Sequence, residues 1–232
     1  MKPSIFKLSA ILIFFLTCIS GYAQVQTKKV IIHTTLGAAF PALEKLNDEL
    51  RSAGLEPGRT TYFSRGGGFY TIFPKLNIAT LFNLSTYTAT TESGNRSTAV
   101  RSTQVGTSLG YVVTGEKSFQ FIPFVGLAYS FFGVRPTASN PAGGTGFSPY
   151  LSGNANQYHL SSNDWAGHVG LHFAKAGLGK TRMAQHAVLG LRTGYFIPVR
   201  SSVWKSNDTK LSGGPKINSG GFYVGVVLGI MQ

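Results

Sequence analysis

The run from Ala174 to Thr181 reads A-K-A-G-L-G-K-T and satisfies a relaxed phosphate-loop pattern. In such a loop glycines let backbone N–H groups wrap the phosphates, the lysine neutralises them, the hydroxyl binds magnesium and a helix follows. Here alanine stands at the first position and the run lies between two strand patterns, so no nucleotide and no other cofactor is expected. His168 and His172 stand four residues apart. On a helix that spacing makes a metal pair, but on a strand it separates the rings by about 13 Å at roughly 3.3 Å per residue, too far for one ion. Interior polar packing is the reading adopted for both. Asp164 with His168 or His159, and Ser161 or Ser162, contain the residue types of a hydrolase triad. Nothing in their spacing selects them from the other serines, so no catalytic residue is assigned. Arg59, Tyr62, Phe63 and Arg65 interleave cations with aromatics, as a polyanion or sugar site would. They equally describe a solvated loop whose aromatics sit at a membrane interface.

The elements that must position these residues are strands. From Gly221 to Met231 the chain reads G-F-Y-V-G-V-V-L-G-I-M, with Phe222, Val224, Val226, Leu228 and Ile230 alternating with Tyr223, Gly225, Val227, Gly229 and Met231. Period-two alternation is the signature of a strand, and a greasy face backed by a mostly small one suits a strand between lipid and a narrow lumen.

The same pattern recurs along the chain. Val30 to Phe40 places Ile32, Thr34 and Leu36 on one face, and Phe69 to Phe73 with Leu76 to Tyr87 form a hairpin. Gln104 to Val113 opposes Val105, Thr107, Leu109, Tyr111 and Val113 to Gln104, Gly106, Ser108 and Gly110. Phe119 to Phe131 carries Gln120, Phe124, Gly126 and Ala128 on its second face, with Pro123 marking a bulge or break because it cannot donate. Trp165 to Ala174 and His186 to Val199 complete a set of eight, an even number. Thr88 to Ser102, Gly133 to about Asp164 (with strand extension around Tyr158 to Leu160) and Ser201 to Ser219 read as loops by composition. The odd-numbered connections come to roughly 28, 16, 30 and 20 residues, and the even ones to about two to four, with the sixth about ten, the asymmetry of bacterial barrels with brief periplasmic turns. One amphipathic helix is predicted, Pro41 to Ala53, with Leu43, Leu46 and Leu50 at helical spacing and Gly54 at the stop. It is expected to pack on the barrel or across its mouth.

Between the ends of the last five strands, Arg192 is the only charged residue, and alternation turns it inward. On the lipid face it would cost about 2 to 4 kcal/mol near the midplane. Inside, with no inward carboxylate read within a strand, amides or tyrosines must partner it. Arg192, His168, His172, Gln104 and Gln120 therefore form the polar lumen set; no ligand or metal is assigned to them.

The chain opens with Lys2 and Lys7 around the apolar run Leu8 to Ile19, followed by Gly21-Tyr22-Ala23. This describes a secretory signal peptide, residues 1–23, ahead of one barrel domain, residues 24–232. A lipoprotein signal on Cys18 is disfavoured, since Phe15-Leu16-Thr17 lacks a Leu three residues before the cysteine and a Gly or Ala directly before it. Cleavage removes Cys18, the only cysteine, and with it any disulfide or thiolate site. It also removes Lys2 and Lys7, lowering the formal charge from +13 to +11. An exported basic chain meets anionic lipid or polysaccharide rather than nucleic acid. No later apolar run is long enough for a membrane helix.

With Pro123-Phe124-Val125-Gly126-Leu127, a Pro-aromatic-x-Gly-Leu motif, and this alternation over the whole mature chain, the sequence resembles the small OmpA-type eight-stranded outer-membrane barrels. The resemblance implies an all-β, antiparallel, up-and-down transmembrane barrel with one short amphipathic helix in its first long connection. It further implies residence in a Gram-negative outer membrane, with outer-membrane lipid, lipopolysaccharide and the barrel assembly machinery as partners. The chain ends Ile230-Met231-Gln232, where such barrels carry the terminal aromatic that this machinery reads. The expected role is non-enzymatic: a filled barrel, not an open pore, whose exterior loops serve envelope structure, adhesion or ligand contact. An outer-membrane enzyme acting on lipid or lipopolysaccharide would need Ser, His and a carboxylate converging near the outer rim. A soluble lipocalin-like barrel would need an interior more apolar than its exterior.

Overall fold

The computed structural model describes residues 28–93, 96–114, 119–137, 159–199, 203–206, 209–212, 214–215 and 220–232 of the 232-residue chain. The leader read at residues 1–23 lies outside them. The long strands are β1 (Lys29–Pro41), β2 (Tyr62–Phe73), β3 (Ile78–Ser93), β4 (Arg96–Tyr111), β5 (Phe119–Thr137), β6 (Leu160–Ala176), β7 (Ala187–Pro198) and β10 (Gly221–Met231). Helix α1 (Glu44–Ser52) follows β1, α2 (Arg182–His186) precedes β7, and β8 (Trp204–Ser206) with β9 (Thr209–Lys210) forms a small hairpin before β10.

Each long strand pairs antiparallel with its sequence neighbour among the long strands, β10 zips to β1 from Ile31↔Met231 to Pro41↔Gly221, and β5 pairs with β6. Among the described residues this closes an eight-strand up-and-down barrel, and no long strand is left with an open edge. The β8–β9 hairpin hangs on the start of β6 through Leu160↔Ser206 and Ser162↔Trp204. The connections sort by end. At one end lie the junctions of β2 with β3, β4 with β5 and β6 with β7, together with Lys29 of β1 and Met231 of β10; at the other lie the junctions of β1 with β2, β3 with β4, β5 with β6 and β7 with β10. We call these the turn end and the loop end.

The alternation read from the sequence is the alternation observed. Leu109, Val125, Leu127, Leu171, Leu191, Ile197, Val226 and Leu228 face outward and are exposed, while Gln104, Gln120, His168, His172 and Arg192 are buried within the lumen. Outward aromatics gather toward both ends of this apolar band, Tyr129 packing edge-on against Trp165 nearer the loop end and Phe121 stacking on Phe173 nearer the turn end.

Three expectations are corrected, and a fourth, at Pro123, is met in part. Thr88 to Ser102 is strand: β3 and β4 run on as a ladder from Thr88↔Arg101 to Ser93↔Arg96, so the connection shrinks to residues 94–95. Its threonines are β-branched and suit a strand in water, and polar composition here reports a solvated outer face. Strand β2 begins at Tyr62, so Tyr62 is buried in the lumen while Phe63 and Arg65 point outward from a strand. Strand β6 begins at Leu160, which places Asp164 inside a strand, inward and buried. At Pro123 the β5–β6 register continues without a slip, Ile122↔His172, Pro123↔Leu171, Phe124↔Gly170. The β4–β5 ladder stops beside it at Gly110↔Phe124, leaving Tyr111 without a β5 rung, so the proline marks a local break on the β4 side and no bulge.

The lumen is filled in layers. Near the turn end Ile31, Ile72, Leu81, Val112, Ile122, Phe124 and Val188 make an apolar plug. At the loop end Leu43, Leu46, Leu50 and Leu55 pack with Tyr62, Tyr87, Val100, Phe132, Leu160 and Trp204. These partners are inward residues of five strands and the small hairpin, so α1 lies across the mouth of the barrel. Its C-terminus shows why it stops: Gly54, at φ 69°, donates to Arg51 O, and Leu55 N donates back to Leu50 O. This left-handed cap folds Leu55 onto Leu50. Asn47 holds the following segment by exchanging two hydrogen bonds with Gly58, at 2.8 and 3.1 Å.

Candidate functional site

Between the two apolar layers lies the polar floor of the lumen, built from residues that β-alternation turns inward on nearly every strand. Arg192 of β7 is its centre, 3% exposed. Its Nη1 donates to Asn83 Oδ1 on β3, its Nε to His172 Nδ1 at 3.4 Å, and its Nη2 contacts His33 Nε2 at 3.4 Å. Guanidinium only donates, so both histidines present a bare nitrogen to it, and His33 turns its Nδ1 toward Thr35 Oγ1 at 3.4 Å. Among the described residues no carboxylate lies within ion-pair distance of Arg192, and the ion pair found among them joins Arg51 and Asp48 on the exposed face of α1. Of the amides or tyrosines expected to partner Arg192, the amide of Asn83 does so; the two imidazoles were not foreseen, and the sequence reading placed Asp164 in a loop.

A second polar chain crosses the lumen beside it. His168 Nδ1 meets Ser108 Oγ at 3.0 Å, and its Nε2 meets Tyr223 Oη at 2.8 Å. Phe196 stacks on the ring at 4.5 Å and Phe124 packs against it at 4.9 Å. Tyr70 donates to Gln120 Oε1 at 3.1 Å, and Ser85 donates to Gln104 Oε1 at 3.4 Å. His33, Asn83, Tyr70 and Tyr223 are members of this floor that sequence reasoning did not single out. Strand phase alone turns them inward, so the signal was present in the alternation of β1, β2, β3 and β10.

The residues with possible chemistry are not brought together. His168 and His172 share one face of β6, and no group of three or more potential metal ligands forms among the described residues. Asp164 lies four residues from His168 along the same strand, about 13 Å away, and the second nitrogen of His168 is held by a phenol. Ser108 and His168 are a hydroxyl–imidazole pair, but they lie deep in the lumen rather than at the rim. His159 stands outside the strands, where partial burial and Arg135 hold its ring below the usual imidazole range. In the Ala174 to Thr181 run, Ala174 to Ala176 belong to β6. Thr181 caps the five-residue α2 by accepting from Ala184 N at 3.3 Å, so its hydroxyl is committed to the turn.

Lumen space remains above the floor, toward the loop end. The cavity holds about 660 Å³ counted out to its open side, and Thr35, Ser64, Asn83, Ser85, Gln104, Arg192 and Tyr223 line it with glycines of β1, β2 and β10.

No protein-family model matches this sequence, and no curated protein matches it. Solved structures do resemble the fold. A major outer membrane protein from Thermus thermophilus superposes with a TM-score of 0.56 at 11% identity, covering 89% of this chain and 100% of that one. Ail, the attachment invasion locus protein of Yersinia pestis, in complex with the heparin analogue sucrose octasulfate, gives 0.47 at 7% identity over 89% of this chain and 99% of its own. The closed ring, its outward apolar band and its side-chain-filled lumen give this chain the fold of the small eight-stranded outer-membrane β-barrels.

Proposed function

We propose that the chain resides in the outer membrane as a non-enzymatic barrel, and that its loop end, facing outward from the cell, serves envelope structure, adhesion or ligand contact. The observation that carries this reading is the inversion of the two faces: Val125, at 62% exposure, and its outward neighbours form a continuous apolar band, while the lumen holds Arg, His, Gln and Ser. A protein soluble in water rarely exposes so large an apolar surface, and a lipocalin-like carrier needs the opposite arrangement. The plug, the floor and α1 fill the bore, which favours surface contact over solute passage. Beyond the apolar band, Arg101 and Arg135 point outward and exposed near the loop end, where phosphates of lipopolysaccharide would meet them. The test is fractionation of native cells, followed by electrophoresis of unheated against boiled membrane protein. A heat-modifiable band in the outer-membrane fraction is expected; recovery as a soluble periplasmic protein overturns the reading.

A further inference from the structure

We infer that the lumen cavity is a binding site for a small anion, a carboxylate or an inorganic oxyanion or halide, with Arg192 and Asn83 as its donors. Arg192 lines the cavity while almost wholly buried, and all three of its side-chain partners are neutral. A guanidinium has five N–H bonds, and three are directed to Asn83, His172 and His33, which leaves one on each terminal nitrogen. Asn83 adds another donor. Its Oδ1 is taken by Arg192, and its Nδ2 is buried with no hydrogen-bond partner, on the cavity wall. Free donors around one buried positive charge, with no carboxylate in ion-pair reach among the described residues, make a place that an anion stabilises and a cation does not.

Asp164 is the inward carboxylate that could have cancelled the charge. It lies across from Ser130 on the β5–β6 ladder, eight residues along β6 from His172, which is the rung opposite Arg192. That interval is about 26 Å at roughly 3.3 Å per residue, far beyond ion-pair reach. The hydroxyls of Thr35, Ser64 and Ser85 and the amide of Gln104 surround the remaining space, while Phe196, Ala39 and the glycine walls supply apolar surface. The site therefore suits an anion with a short apolar body.

The test uses the full mature chain folded in detergent micelles, with trifluoroacetate as probe and neutral trifluoroacetamide as control, followed by fluorine NMR. The expected result is a saturable shift with trifluoroacetate and none with the amide. Asn83→Asp supplies an internal carboxylate beside Nη1, so this variant is expected to keep its heat-modifiable band and bind trifluoroacetate at least about tenfold more weakly. Arg192→Gln is expected to lose saturable binding. Absence of saturation in the wild-type protein, equal response to the amide, or unchanged affinity in folded Asn83→Asp would each overturn the site.

Discussion

Arg192 donates to Asn83 from the opposite wall of the barrel: β7 and β3 stand four strands apart in an eight-strand ring, so this one side-chain bond crosses the lumen. Ser108, His168 and Tyr223 make a second crossing, from β4 through β6 to β10, whose end strands are also opposed. Struts of this kind tie together walls that the backbone ladder connects only around the circumference. They also explain why polar residues occupy the middle of the bore while leucines and aromatics fill its two ends.

Asn83→Leu should therefore destabilise the barrel although it adds apolar surface to a buried site. It removes the amide oxygen that accepts from the guanidinium's Nη1 and leaves a buried charge short of a partner, which costs about 3 kcal/mol or more. A urea midpoint measured by the gel shift of the folded band should fall accordingly, and an unchanged midpoint would show that the crossing bond contributes nothing.

The register makes a second prediction, comparing two outward positions. Val125→Arg puts a cation in the middle of the apolar band and should cost about 2 to 4 kcal/mol. Thr90→Arg, outward on the solvated extension of β3 and opposite Ala99, should stay within about 0.5 kcal/mol. Equal penalties at the two sites in lipid bilayers would refute the assignment of faces.

These faces were legible in the sequence because period-two alternation is a local property. The outward set Val105, Thr107, Leu109 and Tyr111 and the inward set Gln104, Gly106, Ser108 and Gly110 needed no knowledge of neighbours. Strand ends were legible only where composition changes at the membrane boundary. Thr88 to Ser102 continues the ladder into water, where a polar strand and a polar loop have the same composition, so that extension was missed. Asp164 was placed in a loop for the same reason. The floor itself was half legible: strand phase turns Arg192 inward, but that it meets Asn83, 109 residues away, depends on ring closure. The triad residue types that nothing in the sequence selected are not brought together either, since the His168 to Asp164 interval runs along one strand.

Helix α1 is held by side chains rather than by ladder bonds, and it should open independently of the barrel. Leu50 is fully buried against Leu55 and the inward residues of the mouth. Leu50→Ala should cost about 2 to 5 kcal/mol of local stability. Amide exchange in residues 44–52 should accelerate while that of β5 and β6 stays unchanged; slow exchange in the variant would mean that the two Asn47–Gly58 bonds alone secure the helix.

The His168–Tyr223 strut passes a wall with no room for a side chain. A Cβ at Gly194 would lie 2.7 Å from the Tyr223 hydroxyl and 2.7 Å from Val169 O. Gly194→Ala must therefore push Tyr223 off His168 or strain the β6–β7 ladder, at about 1 to 3 kcal/mol. Tyr223→Phe removes the hydroxyl that both His168 and the new methyl compete for, and leaves His168 Nε2 without its partner, at about 1 to 3 kcal/mol. In the double variant the lost strut is counted once and one of the two clashes is gone, so the combined penalty should fall short of the sum by about 0.5 kcal/mol or more. Strict additivity in the denaturation cycle would mean that Gly194→Ala acts through Val169 alone, and that the strut bears no load at this point in the wall.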